Sequence, residues 1–438
     1  MTFSYLVLYS ASLFALFISY NPILCKRYKY TPDELINGHL FYLEPAKTAF
    51  ALDIKPISYP DKCELVQLHL NTRHGSRYPE PTDIVNYEKL EKIFANVHIA
   101  KEWYKNPFPA WKAFKLIKRG ELEPYYDGIQ SRKRYAKFWK GVEYDPDVIK
   151  FQSTDTSRTG ASAMAFAEGL FNGKGPLDTC KSQPVYISSL PGYLDYVLQP
   201  QVACPRWYLS ILNNTDYLEQ AYIYGNKTLA PIAERISKEY NLNPSLDPHL
   251  MPYVFTYCEF WLVHFNRTDT WCSLLSPKDL LLLRYHWDIY HYHVLQYGHP
   301  FNKRMGCVYL TQLVTGVDNF LNGKSYMIAD IKNSHSYSLL ALFTSLGVFK
   351  EKYPLTADLP YEKIKEVKFT DLASIPWSST VYFEIYTCQK NEVLIRMVLN
   401  FKPMLIPGCG GEYCKWEKFK EVIGDQIGCD LQKECALP

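Results

Sequence analysis

The 438 residues are 47% hydrophobic and 21% charged, with 48 Lys and Arg against 45 Asp and Glu for a formal net charge of +3. Such a chain is neither disordered nor fibrous, and its near-balance of charge gives no reason to expect a nucleic-acid surface. The length admits up to three domains and a core large enough to fold without structural metal.

Taken in chain order, Met1 to Cys25 carries no Lys, Arg, Asp or Glu and is apolar from Leu13 to Ile18. This pattern predicts a cleaved secretory signal peptide. The basic flank and an A-x-A site are missing, which leaves an uncleaved signal anchor as the alternative. Ser10, Ser12, Ser19, Asn21 and Pro22 interrupt the run and speak against an anchor. The expected location is therefore secreted or within the secretory pathway, with a membrane involved only if residues 1–25 are uncleaved. Twelve Cys without zinc-ligand spacing, and acceptor sequons at Asn213, Asn226 and Asn266, fit an oxidising compartment. Cys409 and Cys414 bracket a Gly-rich turn and can close a short loop, as can Cys429 and Cys435. Loss of Cys25 with the signal would leave one Cys unpaired.

Leu65 to Leu70 is a short β-favouring run that breaks into the loop Asn71 to Pro79, a place where α/β sheets put sites. Helical spacing follows from Tyr87 to Tyr144, and Ser162 to Leu170 is a strong helix former. A mostly helical middle has its clearest helix at Leu280 to Tyr297. Tyr326 to Asp330 is a second strand candidate, and Ser338 to Leu346 an amphipathic helix stopped by Gly347. Val381 to Thr387 and Glu392 to Asn400 read as further strands. Strands at both ends with helices between predict an α/β domain carrying a mostly helical insertion, roughly residues 85–300, within a single domain from 26 to 438.

The densest chemical cluster is Arg73-His74-Gly75-Ser76-Arg77-Tyr78-Pro79. Two guanidiniums suit the paired oxygens of a phosphate and stay charged at any working pH. A histidine between them can attack phosphorus and carry the phosphoryl group. The arginines would then spread the charge of the transition state, and Gly75 would let the backbone come close to the ligand.

This segment resembles the R-H-G-x-R-x-P signature of the histidine acid phosphatases, with every fixed position present. Ser153-Thr154 with Arg158 and Thr159, Ser162-Ala163, Gly169-Leu170-Phe171, the Leu346-Gly347 stop and Ile406-Pro407-Gly408-Cys409 resemble the family as well. The layout is most similar to the multiple inositol polyphosphate phosphatase branch over roughly residues 50–430. The resemblance implies a histidine-phosphatase-type α/β sandwich. It implies His74 as nucleophile, with Arg73, Arg77, Arg158 and His335 holding the phosphate, and needs neither metal nor organic cofactor. It also implies disulfides Cys63–Cys388, Cys258–Cys272 and Cys409–Cys414. The activity it implies is hydrolysis of phosphomonoesters on inositol polyphosphates.

The second histidine departs from that pattern. The family follows it with an acid, whereas this chain reads His335-Ser336-Tyr337. A poised acid contributes about 10²–10⁴-fold by protonating the leaving oxygen. Tyr337 and Asp330 are the proton-donor candidates in its place. A weak or silent phosphate-ester binding protein is therefore one alternative, and a broad-specificity secreted acid phosphatase another.

The remaining signals have plainer readings. His286, His291 and His293 lack the i,i+4 spacing of a helical metal pair. His69 reads as packed in its strand, and Asp155 as a partner of Arg158. Lys26-Arg27-Tyr28-Lys29 reads as a solvated face; Arg132-Lys133-Arg134 reads as the same, or as the mouth of a pocket for a multiply phosphorylated ligand.

Overall fold

The computed structural model describes residues 56–97, 104–367 and 375–437; the expectations for residues 1–25 and for Lys26 to Lys29 lie outside them. Its centre is a mixed eight-stranded sheet of β1 (Cys63–Arg73), β2 (Ile149–Ser153), β3 (Ile187–Ser188), β4 (Ala329–Ser334), β5 (Thr380–Cys388), β6 (Val393–Leu399), β7 (Lys402–Met404) and β8 (Cys414–Lys415). The order is β3-β2-β4-β1-β5-β6-β7, with β8 paired to β6. From β3 to β1 neighbours run parallel, and from β1 onward antiparallel.

Alternation along the strands feeds two cores. Val381, Phe383 and Ile385 of β5 face the cluster built with helices Cys307–Leu321 and Ser336–Leu346. Tyr382 and Tyr386 face the opposite side, where helices Lys118–Arg134 and Ser157–Leu170 cover Leu68, Leu70, Phe151 and Ile331. A third cluster joins helix Pro81–Phe94 to helices Met251–Phe265 and Pro277–Leu295.

Two expectations need correction. The stretch 85–300 is not simply helical, because β2 and β3 are strands of the central sheet and two of its helices cover that sheet. The strand expected at Tyr326 to Asp330 instead occupies Ala329–Ser334. Apolar pattern misplaces it because the strand is buried on both faces and carries polar residues inward. Asp330 bonds Lys332 and lies 3.6 Å from His69 Nδ1, and Ser334 Oγ donates to Asn71 Oδ1 at 2.6 Å.

Disulfides Cys63–Cys388, Cys258–Cys272 and Cys409–Cys414 are present. The first joins residues directly opposite in the β1–β5 ladder. Cys429 and Cys435 do not close a loop on each other. They pair with Cys307 and Cys204, tying the C-terminal segment to two distant helices. Cys180 is disulfide-bonded too, and no described cysteine is free. Among the described residues no helix is long and apolar enough to cross a membrane.

Candidate active site

Three parallel strands deliver their next residues to one edge of the sheet. Arg73 of β1 stands opposite Ser334 of β4, and Ser153 of β2 opposite Asn333. His74, Thr154 and His335 therefore emerge side by side at the carboxyl ends, where open α/β sheets bind ligands. Antiparallel β5 enters at the same edge, with Thr380 opposite Thr72, and brings Trp377 over the loop.

The loop is held from all sides. His74 N donates to Ser334 O at 3.0 Å, and Ser378 N donates to His74 O at 3.1 Å. Gly75 N donates to Ser162 Oγ at 3.1 Å, and Ser76 N to the buried Glu123 Oε2 at 2.7 Å. Glu123 also accepts from Arg119 Nε at 3.0 Å. Gly75 is required for a different reason from the one expected. A Cβ there would fall 1.9 Å from Gly120 O, so the close backbone approach is to helix Lys118–Arg134.

Within this cradle the His74 and His335 rings lie 5.3 Å apart, edge to face. His74 Nδ1 donates to Gly75 O at 2.9 Å; a carbonyl only accepts, so the proton sits on Nδ1 and the Nε2 lone pair is available. Arg158 Nη2 donates to His335 Nδ1 at 3.4 Å, which directs His335 Nε2–H to Thr154 Oγ1 at 3.1 Å. Trp377 lies under the guanidiniums of Arg73 (3.9 Å) and Arg77 (5.3 Å), and Phe114 under Arg77 and Arg158 at 5.4 and 5.1 Å. Rings at these distances fix the forks in place.

Electrostatics follow from crowding cations in a buried space. Burial holds both imidazoles well below the ordinary histidine range, with the other histidine and the three arginines adding to the effect at His74. The same burial and cations favour the neutral form of the His74 ring. Burial and the neighbouring Arg77 bring Arg158 down to about 10. The Nε donors of Arg77 and Arg158 are buried without an acceptor among the described residues, which suits them to a multivalent oxyanion. The N-terminus of helix Ser336–Leu346, capped by His335, adds partial positive charge.

A cavity of about 990 Å³ opens on this cluster. The structure brings Arg73, His74, Arg77, Arg158 and His335 together on it, and Tyr337 lines it as well. Asp330 is not brought in. It lies on β4 five residues before His335, buried against Lys332 and His69, which hold its carboxyl ionised against the cost of burial. Arg132 and Arg134 do not form the mouth: Arg132 donates to Leu170 O, and Arg134 packs on the rings of Tyr135 and Phe401. Asp155 accepts from Gly192 N and Gln199 Nε2 instead of pairing with Arg158. His291 lines the cavity, and no group of three or more His, Cys, Asp and Glu among the described residues is placed to hold a metal ion. Asn213, Asn226 and Asn266 are all exposed.

Sequence reading missed Trp377, Glu80, Asp83 and Glu123. Glu80 Oε1 bonds Arg77 Nη2 at 2.6 Å, and Asp83 accepts from Glu80 N at 3.0 Å at the start of helix Pro81–Phe94. Burial pushes Asp83 up to about 6. The Glu-Pro-x-Asp spacing after the motif is a capping-box signal that could have found this pair.

The family model of the histidine phosphatase superfamily (branch 2) matches residues 64–400. The chain is 26% identical over 430 residues to multiple inositol polyphosphate phosphatase 1 of Dictyostelium discoideum, covering 84% of this chain and 67% of the relative. It is 25% identical to the protein of that name from Drosophila melanogaster, over 87% of this chain and 86% of the relative. Its fold matches the Bifidobacterium longum multiple inositol polyphosphate phosphatase, solved in complex with inositol hexasulfate. The TM-score is 0.67 and the identity 12%, over 86% of this chain and 96% of that one.

Proposed function

This chain belongs to branch 2 of the histidine phosphatase superfamily and is a phosphoric monoester hydrolase of that type; from that premise we propose that it works through a phosphohistidine on His74, with inositol phosphates the ester class its relatives' names bring to it. The observation that carries the reading is His74 itself. Its Nε2 lone pair stands free beside His335 and among three arginines, while Nδ1–H is tied to Gly75 O. The arginines and His335 hold the phosphate oxygens, and Nε2 attacks phosphorus. The N–P bond forms as the ester P–O bond breaks, and the departing oxygen takes a proton. Water then attacks phosphorus, the N–P bond breaks, and inorganic phosphate leaves as a proton returns to the donor.

No carboxylic acid follows His335 to serve as that donor, since Ser336 and Tyr337 stand there. Asp83 and Tyr337 are the groups on the cavity wall suited to the role, and Asp83 retains its proton up to about pH 6. Turnover then favours esters with good leaving groups. The absence of an acid after His335 is also what favours the second reading, a phosphate-ester binder with little turnover. Five disulfides among the described residues support a protein of the secretory pathway.

The test is phosphate release between about pH 3 and 8 from an aryl phosphate and from inositol hexakisphosphate, beside His74→Ala. Release that disappears in His74→Ala, with an acid-labile phosphoenzyme trapped in the wild type, is expected. Undiminished release by His74→Ala removes the nucleophile; ligand binding without any release leaves the binder.

A further inference from the structure

The three arginines of the site are also the only Arg or Lys side chains lining the cavity among the described residues. Everything beyond them is of another character. Tyr253, Thr256, Phe260 and Val263 form one stripe of helix Met251–Phe265 that faces the cavity, at the three- and four-residue spacing that shares a helix face. Trp287 and Tyr290 come from helix Pro277–Leu295, and Trp207 and Leu212 from the segment before Asn213. The acidic groups on these walls are Glu80, which pairs with Arg77, Asp83, which ionises only above about pH 6, and Glu259. Towards solvent the apolar surface continues, with Val202, Tyr208 and Leu209 about half exposed (56%, 50% and 51%) while still lining the cavity. Exposed apolar rims of this kind mark places where something apolar docks.

We infer that the cavity selects a phosphate monoester carried by a large apolar alcohol, alkyl or aryl, with one phosphate on the arginines and the body along the aromatic walls. This rests on the reading of the arginine cluster as the phosphate site. An inositol polyphosphate seated on the same arginines would turn its remaining phosphates toward carboxyls and aromatic rings, with no further Arg or Lys among the described lining residues to receive them. Like charge and desolvated phosphate both oppose that pose. An alkyl or aryl body meets complementary surface instead, so this chain separates from its relatives' named substrate at the walls as well as at the acid missing after His335.

The test compares kcat/KM of the purified protein for 1-naphthyl phosphate, the alkyl series from butyl to decyl phosphate, phosphatidate in neutral vesicles, and inositol hexakisphosphate. KM is expected to fall roughly three- to fourfold per added methylene until the walls are filled. Either the soluble esters or the vesicles should exceed inositol hexakisphosphate by at least about tenfold, and which of the two does so identifies the source of the ester. Val202→Lys with Leu209→Lys should narrow that preference by roughly tenfold. A flat alkyl series, or preference for inositol hexakisphosphate, overturns the inference while leaving the hydrolase intact. Calorimetry on the wild type separates the two readings, with decylphosphonate against inositol hexasulfate as probes that are not turned over. Tighter decylphosphonate binding without turnover of any ester upholds the wall chemistry and removes the hydrolase; tighter inositol hexasulfate binding overturns the inference.

Discussion

Gly120→Ala isolates how much of the site depends on a contact far from substrate. Gly120 lies in the first turn of helix Lys118–Arg134, and a Cβ added there falls 1.8 Å from Ser76 O. Real Cβ contacts stay beyond 3.0 Å, so helix and loop must part by about 1.2 Å. No flexible side chain can absorb this, because the obstructing atom is backbone. Ser76 N is bonded to Glu123 on the same helix, and Ile117 N donates to Ser76 O at 3.1 Å. The shift therefore passes along the loop to His74, two residues away. Misplacing a reacting group by about 1 Å costs on the order of 100-fold in rate, and overpacking costs about 1–3 kcal/mol of stability. The assay is kcat on an aryl phosphate, measured well below the variant's melting temperature, with folding checked by circular dichroism. Gly75→Ala should give the same phenotype, since its Cβ meets Gly120 O from the other side. Wild-type kcat in a folded Gly120→Ala protein would refute the idea that this backbone contact sets the nucleophile.

Trp377→Ala removes the ring beneath Arg73 and Arg77, worth about 0.5–2 kcal/mol of positioning. KM for a phosphate ester should rise roughly 2- to 30-fold, and an unchanged KM would deny the ring that role. Burial raises Asp83 from 3.8 to about 6, so the stability it contributes is full below pH 3.8 and is lost as pH rises through about 6. Asp83→Asn cannot ionise, so its melting temperature should gain on the wild type between about pH 4 and 7. A pH-independent difference between the two proteins would contradict this. Replacing Cys307 and Cys429 with Ala opens a link across 122 residues and should cost about 2–5 kcal/mol in a denaturant melt, with kcat of the folded protein unchanged. A parallel loss of kcat would tie that disulfide to the site.

The chemistry of the site was written in local sequence, and its surroundings were not. Arg73 to Pro79 is one continuous segment whose residue types suit only a small range of ligands, so it declares its function without neighbours. His335 and Arg158 became legible through resemblance, and the sheet then explains why they meet: parallel register places the ends of β1, β2 and β4 on one edge. Trp377 carries no signature, and the capping-box spacing of Asp83 marks a helix start but not a place on the cavity, because both roles depend on which backbone lies opposite and on how much water is excluded. The same holds for Asp330, whose place five residues before His335 suggested a donor until burial beside Lys332 and His69 gave its carboxyl other partners. Cys429 and Cys435 show the limit again, since proximity in sequence favours a short loop while the packed fold places each beside a distant helix. Composition fixed the class of chain, and local pattern fixed most helices and strands. Only tertiary structure decided which walls the arginines face, because a wall is assembled from separate segments, 202–212, 253–263 and 287–290, each apolar for reasons that sequence alone cannot tell from core packing.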